Sequence, residues 1–162
     1  MKVFINNPLL KAMVSNEVKS ALVEVGTKIV SDVRESMVPG SWRSYKVKGV
    51  IHVASAPGKP PAPWSHRLHD SITYRTTFGD KSSLGPRAKS SDAIKEPKRA
   101  MGGYAVSIGS NAPYALAMEK GMRSGKRKVA NRPYLWPALK RSRGTIKEAF
   151  TKKYLYFKSK GV

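Results

Sequence analysis

The sequence has no cysteine, so neither disulfide bonds nor thiolate metal ligands are available to it. Acidic residues are also scarce: Asp and Glu total 10 against 31 Lys and Arg. That leaves little material for the paired carboxylates of general acid–base catalysis. No apolar run approaches the roughly 18 residues that would span a bilayer. The opening MKVFINNPLL is too short and too polar for a secretory leader. The expectation is a protein made soluble inside a cell, with no membrane partner.

Histidine is sparse as well, occurring at His52, His66 and His69. A zinc site needs three or four ligands. On a helix, His66 and His69 would share one side while Asp70 points elsewhere, so a packed or surface pair is expected and no metal. A G-x-S-x-G elbow is missing, because Gly109-Ser110-Asn111 lacks the second glycine. Neither Gly102-Gly103 nor Gly125-Lys126 has the spacing of a phosphate loop. We expect no catalytic residue, no cofactor and no enzymatic activity.

What the sequence has in excess is positive charge. The formal net charge is +21 over 162 residues, with a pI near 10.4. Such a balance bears on association rather than fold, and implies a polyanion or acidic partner surfaces. The length fits one domain over residues 1–162 with a real core.

Met1 to Asn7 fits a short strand or a docked arm. Ser15 or Asn16 is a plausible helix cap, with Glu17 in the first turn. Val18, Leu22, Val25, Ile29, Val33 and Met37 then recur at spacings of three and four, which predicts an amphipathic helix ended by Pro39-Gly40. Ser41 to Ser55 alternates in part and predicts a strand or ribbon. The prolines of APGKPPAP, near 56–63, predict a stiff extended arm or connector. Trp64 to Ser71 fits one or two helical turns capped by Ser65. Ile72 to Phe78 predicts a strand.

The polar stretch near 79–102 predicts a mobile loop or hairpin tip. Tyr104 to Ile108 should pair with Ile72 to Phe78 as an antiparallel ribbon. A helical turn through Tyr114, Ala115 and Glu119 should end at Gly121. A second mobile loop is expected near 120–131, carrying Lys120, Arg123, Lys126, Arg127 and Lys128. These five could contact a phosphate backbone without reading sequence, or order against an acidic neighbouring subunit. Nothing marks a sequence-specific nucleic-acid reader. The tail from Pro137 to Lys160 predicts a basic helix, with Pro137 in its first turn and Gly144 weakening it.

Two stretches carry a family likeness. One joins APGKPPAPWSHRLHDSI (Ala56 to Ile72) to YAVSIGSNAPYALAMEKG (Tyr104 to Gly121); the other is RPYLWPAL (Arg132 to Leu139). They resemble the neck and tail-completion proteins of long-tailed bacteriophages, a group that includes the minor tail protein Z of lambda-like phages. Tyr114, Ala115, Glu119 and Gly121 match one family segment. Arg132, Pro133, Leu135, Pro137, Ala138 and Leu139 match another, with Tyr134 where phenylalanine is usual. Leu68, Ser71 and Ile72 match a third, with His66 where glycine is common.

The resemblance implies a non-enzymatic virion protein at the head–tail junction, acting in a homo-oligomeric ring of six. Its partners would be head-closure, tail-terminator or tail-tube proteins, with non-specific contact to packaged DNA possible at the cationic loop. A tail terminator that fixes tube length, and a small non-specific nucleic-acid-binding protein, are the competing readings. The expected fold is α+β: a small antiparallel sheet packed against a long N-terminal and a C-terminal helix, with extended loops.

Overall fold

A computed structural model of the chain describes residues 8–63, 66–78, 81–85, 104–124 and 127–159. The fold is α+β, as the residue patterns imply. Helix α1 (Pro8–Ser36) is about 43 Å long at 1.5 Å per residue. It begins earlier than a cap at Ser15 or Asn16 would place it. Pro8 takes the first helical position, where its missing N–H costs nothing, so Ser15 and Asn16 lie inside the helix. The strand or arm expected for Met1 to Asn7 lies outside the described residues.

The C-terminal part of α1 is the centre of the core. Leu22, Val25, Ile29, Val33 and Met37 of the predicted stripe are buried, with Ala21 and Val30 beside them, while Val18 is half-buried. Burying an aliphatic side chain of this size contributes about 1.5–3 kcal/mol. The helix closes with Met37 N–H donating to the Arg34 carbonyl at 3.1 Å.

Strands β1 (Arg43–Val47) and β2 (Val50–Ala54) form an antiparallel ribbon. Lys48 and Gly49 make its turn with φ of 48° and 83°, the left-handed pair that matches hairpin twist. The main packing contacts of the ribbon are between its own strands. The proline segment that follows is not a stiff extended arm: it turns at Ala56–Lys59, where the Lys59 N–H donates to the Ala56 carbonyl at 3.1 Å and Gly58 has φ of 79°. It is also docked, with the Gly58 N–H donating to the Asn131 carbonyl at 2.9 Å and Pro61 buried.

Helix α2 (Arg67–Ser71) is a single turn, and the expected cap Ser65 lies outside the described residues. Strands β3 (Thr73–Phe78), β4 (Lys81–Leu84) and β5 (Tyr104–Gly109) form an antiparallel sheet in the order β4-β3-β5. The predicted pairing of the two longer strands is present, with Thr73 opposite Gly109 and Phe78 opposite Tyr104. The stretch expected as a loop near 79–102 opens with strand β4. Its backbone groups find partners along the edge of β3 rather than in solvent. The rest of that stretch beyond Gly85 lies outside the described residues.

Tyr74 fixes how α1 sits on this sheet. Its ring lies between two glycines, and a Cβ at Gly26 would come within 2.7 Å of the ring and one at Gly85 within 2.5 Å. Thr27 Oγ1 donates to the Tyr74 hydroxyl at 3.2 Å. A mid-helix glycine costs about 0.5–1 kcal/mol relative to alanine, and the close ring contact is what offsets it.

Helix α3 (Ala115–Lys120) leads into a second ribbon, β6 (Met122–Ser124) with β7 (Arg127–Val129). Helices α4 (Leu135–Arg141) and α5 (Arg143–Ser159) then pack on α1. The C-terminal helix is therefore two helices with an elbow at Ser142. The Ser142 hydroxyl donates to Asp32 Oδ2 at 3.1 Å and lies 2.9 Å from the Ala138 carbonyl.

Candidate functional site

Glu119 sits near the end of α3 and reaches the start of α4. Its Oε2 accepts the N–H groups of Tyr134 (2.8 Å) and Leu135 (3.0 Å). Its Oε1 accepts that of Trp136 (2.9 Å). A helix begins with four N–H groups that have no partner within it. Here three are held by one carboxylate, and the fourth position is Pro137, which has no N–H. Negative charge at a helix N-terminus is favourable as well. This accounts for the joint appearance of Glu119 and the RPYLWPAL segment: together they close a clasp.

The remaining residues of the two matched segments build the same knot. The Arg132 N–H donates to the Met118 carbonyl at 2.6 Å, and its Nε donates to the Ser55 carbonyl at 3.2 Å. Gly121 ends α3 with φ of 76° and donates to the Ala117 carbonyl at 2.9 Å. A Cβ there would meet the Val129 carbonyl oxygen at 3.1 Å and the Asn131 nitrogen at 3.2 Å. Tyr134 and Ala115 are buried in contact with the core, and Tyr114 and Leu135 are half-buried against it.

The Tyr134 phenol is held well above the usual tyrosine range, first by burial and then by the Glu119 charge and Tyr114. Pro133 is half-buried, whereas Leu139 and Trp136 are exposed. Together with Ile29, Val106 and Ile108 they line an apolar groove of about 670 Å³. Thus Tyr114, Ala115, Glu119, Gly121, Arg132, Pro133, Leu135, Pro137 and Leu139 come together, most of them to make a rigid joint.

The cations lie just beyond it. Lys120, Arg123 and Lys128 are exposed. Arg127 lies on β7, and Lys126 is outside the described residues. The loop expected near 120–131 is a ribbon, because its backbone groups pair across β6 and β7 and Gly121 packs against the far strand.

The histidines differ from expectation. His66 has φ of 54° and precedes α2. Its ring meets that of His69 edge-on at 5.9 Å. Asp70 does not point away: its Oδ1 lies 2.8 Å from His69 Nδ1. That bond is the main reason its carboxyl is held below the usual range. Among the described residues no group of three or more potential ligands could hold a metal. Ser110 is occupied in its turn, with its Oγ 2.6 Å from Ser71 Oγ and accepting the Ala112 N–H at 3.0 Å.

One exposed apolar surface went unread in the sequence, namely the β1–β2 ribbon, which carries exposed side chains on both of its faces. Ile51 is 70% exposed and Val50 57%. Arg43 stacks its guanidinium over Trp42 at 4.5 Å, and the Tyr45 and His52 rings lie 5.8 Å apart. Lys48-Gly49 between the alternating Tyr45–Val47 and the β-branched Val50–Val53 was the available signal. Comparison with known families, curated proteins and solved structures finds no match to this chain.

Proposed function

We propose that the chain is a structural, non-enzymatic virion protein. It acts as a ring-forming neck or tail-completion subunit that joins tail to head around the DNA channel of a tailed phage. The ring would hold six copies, seated against head-closure, tail-terminator or tail-tube proteins.

The observation that carries this reading is the β1–β2 ribbon. It projects with β-branched and aromatic side chains exposed, while a two-stranded ribbon alone is marginal in water. An exposed apolar surface of this kind marks a protein contact. A ring needs each subunit to offer two different faces, and the ribbon and the groove beside Trp136 and Leu139 are two such faces. The segment from Glu119 to Leu139, which carries the resemblance to the phage family, makes the joint between them. The carboxylate of Glu119 and the hydroxyl of Ser110 are both committed to backbone contacts, which favours a scaffold over a catalyst.

Electron microscopy of lysates from a phage lacking this gene tests the proposal. Full heads beside separate tails of normal length are expected. Tails of uncontrolled length would instead make the protein a tail terminator. Intact particles would overturn the structural reading.

A further inference from the structure

The β6–β7 ribbon carries an arrangement that its own fold does not explain. Arg123 stands directly opposite Lys128. Residues opposite one another in an antiparallel pair share a face, and both side chains are exposed. Like charges in that position are destabilising, and three residues per strand give little to offset the cost. The ribbon is secured at its base, through Gly121 and the Arg132–Met118 bond. An anion seated between the two cations would turn the repulsion into attraction.

The chain that follows the ribbon supplies no such anion. Between Glu119 and Glu148 every ionised side chain is a lysine or arginine. Glu119 is turned inward onto the start of α4. Asp32, beneath the α4–α5 elbow, is engaged by Lys28 at 2.7 Å and by Ser142. Meanwhile Lys140 and Arg141 at the end of α4, and Arg143 and Lys147 on α5, are exposed. The clasp ties the ribbon to the near end of α4. The elbow cations lie one helix length further, about 10 Å at 1.5 Å per residue.

We infer that the β6–β7 ribbon and the α4–α5 elbow form one binding face for the phosphate backbone of duplex DNA. The ribbon seats phosphate oxygens between Arg123 and Lys128, while Lys140, Arg141, Arg143 and Lys147 add phosphate contacts of their own. Contacts of this type position a duplex without reading its sequence. The inference deepens the joining-ring proposal, from which it takes the duplex in the channel; its binding test does not depend on ring formation.

The test is fluorescence anisotropy of the full chain with two duplexes of unrelated sequence across a salt series. Equal affinity for both is expected, with a steep salt slope. Each phosphate contact accounts for about 0.9 of that slope, so the double variant Arg123→Gln/Lys128→Gln should flatten it by about 2. The control double variant Lys46→Gln/Lys48→Gln, which removes equal charge from the exposed β1–β2 ribbon, should leave the slope near the parent value.

Absence of binding at about 50 mM salt, or equal loss in both double variants, overturns the proposed face. Tighter binding of poly-glutamate than of duplex overturns it in favour of an acidic protein partner. Melting temperature and sedimentation of each variant separate loss of the face from loss of fold or of assembly.

Discussion

Glu119 illustrates how one side chain can hold an element. Glu119→Ala leaves three N–H groups at the start of α4 without a partner. Hydrogen bonds to a charged acceptor are worth about 1.5–3 kcal/mol, so a loss of about 2–3 kcal/mol is expected. Glu119→Gln keeps one acceptor and should lose less. Urea unfolding reads both as a lower midpoint at unchanged slope. Tyr134 gives a pH-dependent counterpart. Its folded pKa is raised above the ordinary value near 10, so the neutral phenol is favoured in the native state. That contribution is complete below about pH 10 and is lost as pH rises toward the folded value. Tyr134→Phe keeps the ring and gives up only a marginal 3.5 Å bond to the Ala115 carbonyl. It should be nearly neutral at pH 7, and should gain on the parent in melting temperature above about pH 10.

At the scale of elements, the joint between α1 and the sheet depends on a glycine. Gly26→Val forces a branched side chain into the Tyr74 ring. Overpacking of this kind costs about 1–3 kcal/mol, which a thermal melt would register as a lower midpoint; an unchanged midpoint would show that α1 lifts away freely. Much of this layout was legible in the sequence. The stripe from Leu22 to Met37 announced the buried helix face, and β-branched alternation announced β3 and β5 with their pairing. Gly121 announced the end of α3.

Other elements were hidden for physical reasons. Strand β4 is Lys81-Ser-Ser-Leu84, with no β-rich pattern, and exists because β3 offers an open edge. The β6–β7 ribbon is mostly charge and glycine in sequence, and pairing is imposed by the clasp at its base. The start of α1 was obscured by Ser15 and Asn16, which look like caps but lie on a helix already begun at Pro8. The two matched segments were legible as a motif. Their physical role, a carboxylate holding three amides and a proline removing the fourth, needed the structure.

At the scale of the whole molecule, +21 charges and an exposed apolar ribbon act in opposite directions. The charge resists self-association, and the ribbon favours it. Ile51 is already largely in water, so Ile51→Asp should leave the unfolding free energy of the isolated chain within about 0.5 kcal/mol of the parent. In the proposed ring it would place an uncompensated charge in an apolar contact. Sedimentation velocity, with complementation of a phage lacking the gene, should show loss of assembly and of joined particles. Normal joining by this variant would remove the ribbon from the ring interface.

The clasp also separates the length of what it encloses from the stability of what it joins. Glu119 and Tyr134 are 15 residues apart, and the carboxylate pins both ends of that span to the core. Each doubling of a closed loop costs only about 0.6 kcal/mol in closure entropy. Extra residues placed between Ser124 and Arg127 should therefore be accepted with little effect on the rest of the fold. The protein carries a built-in graft point, where an epitope or fluorophore tag could be displayed while both anchors stay in place.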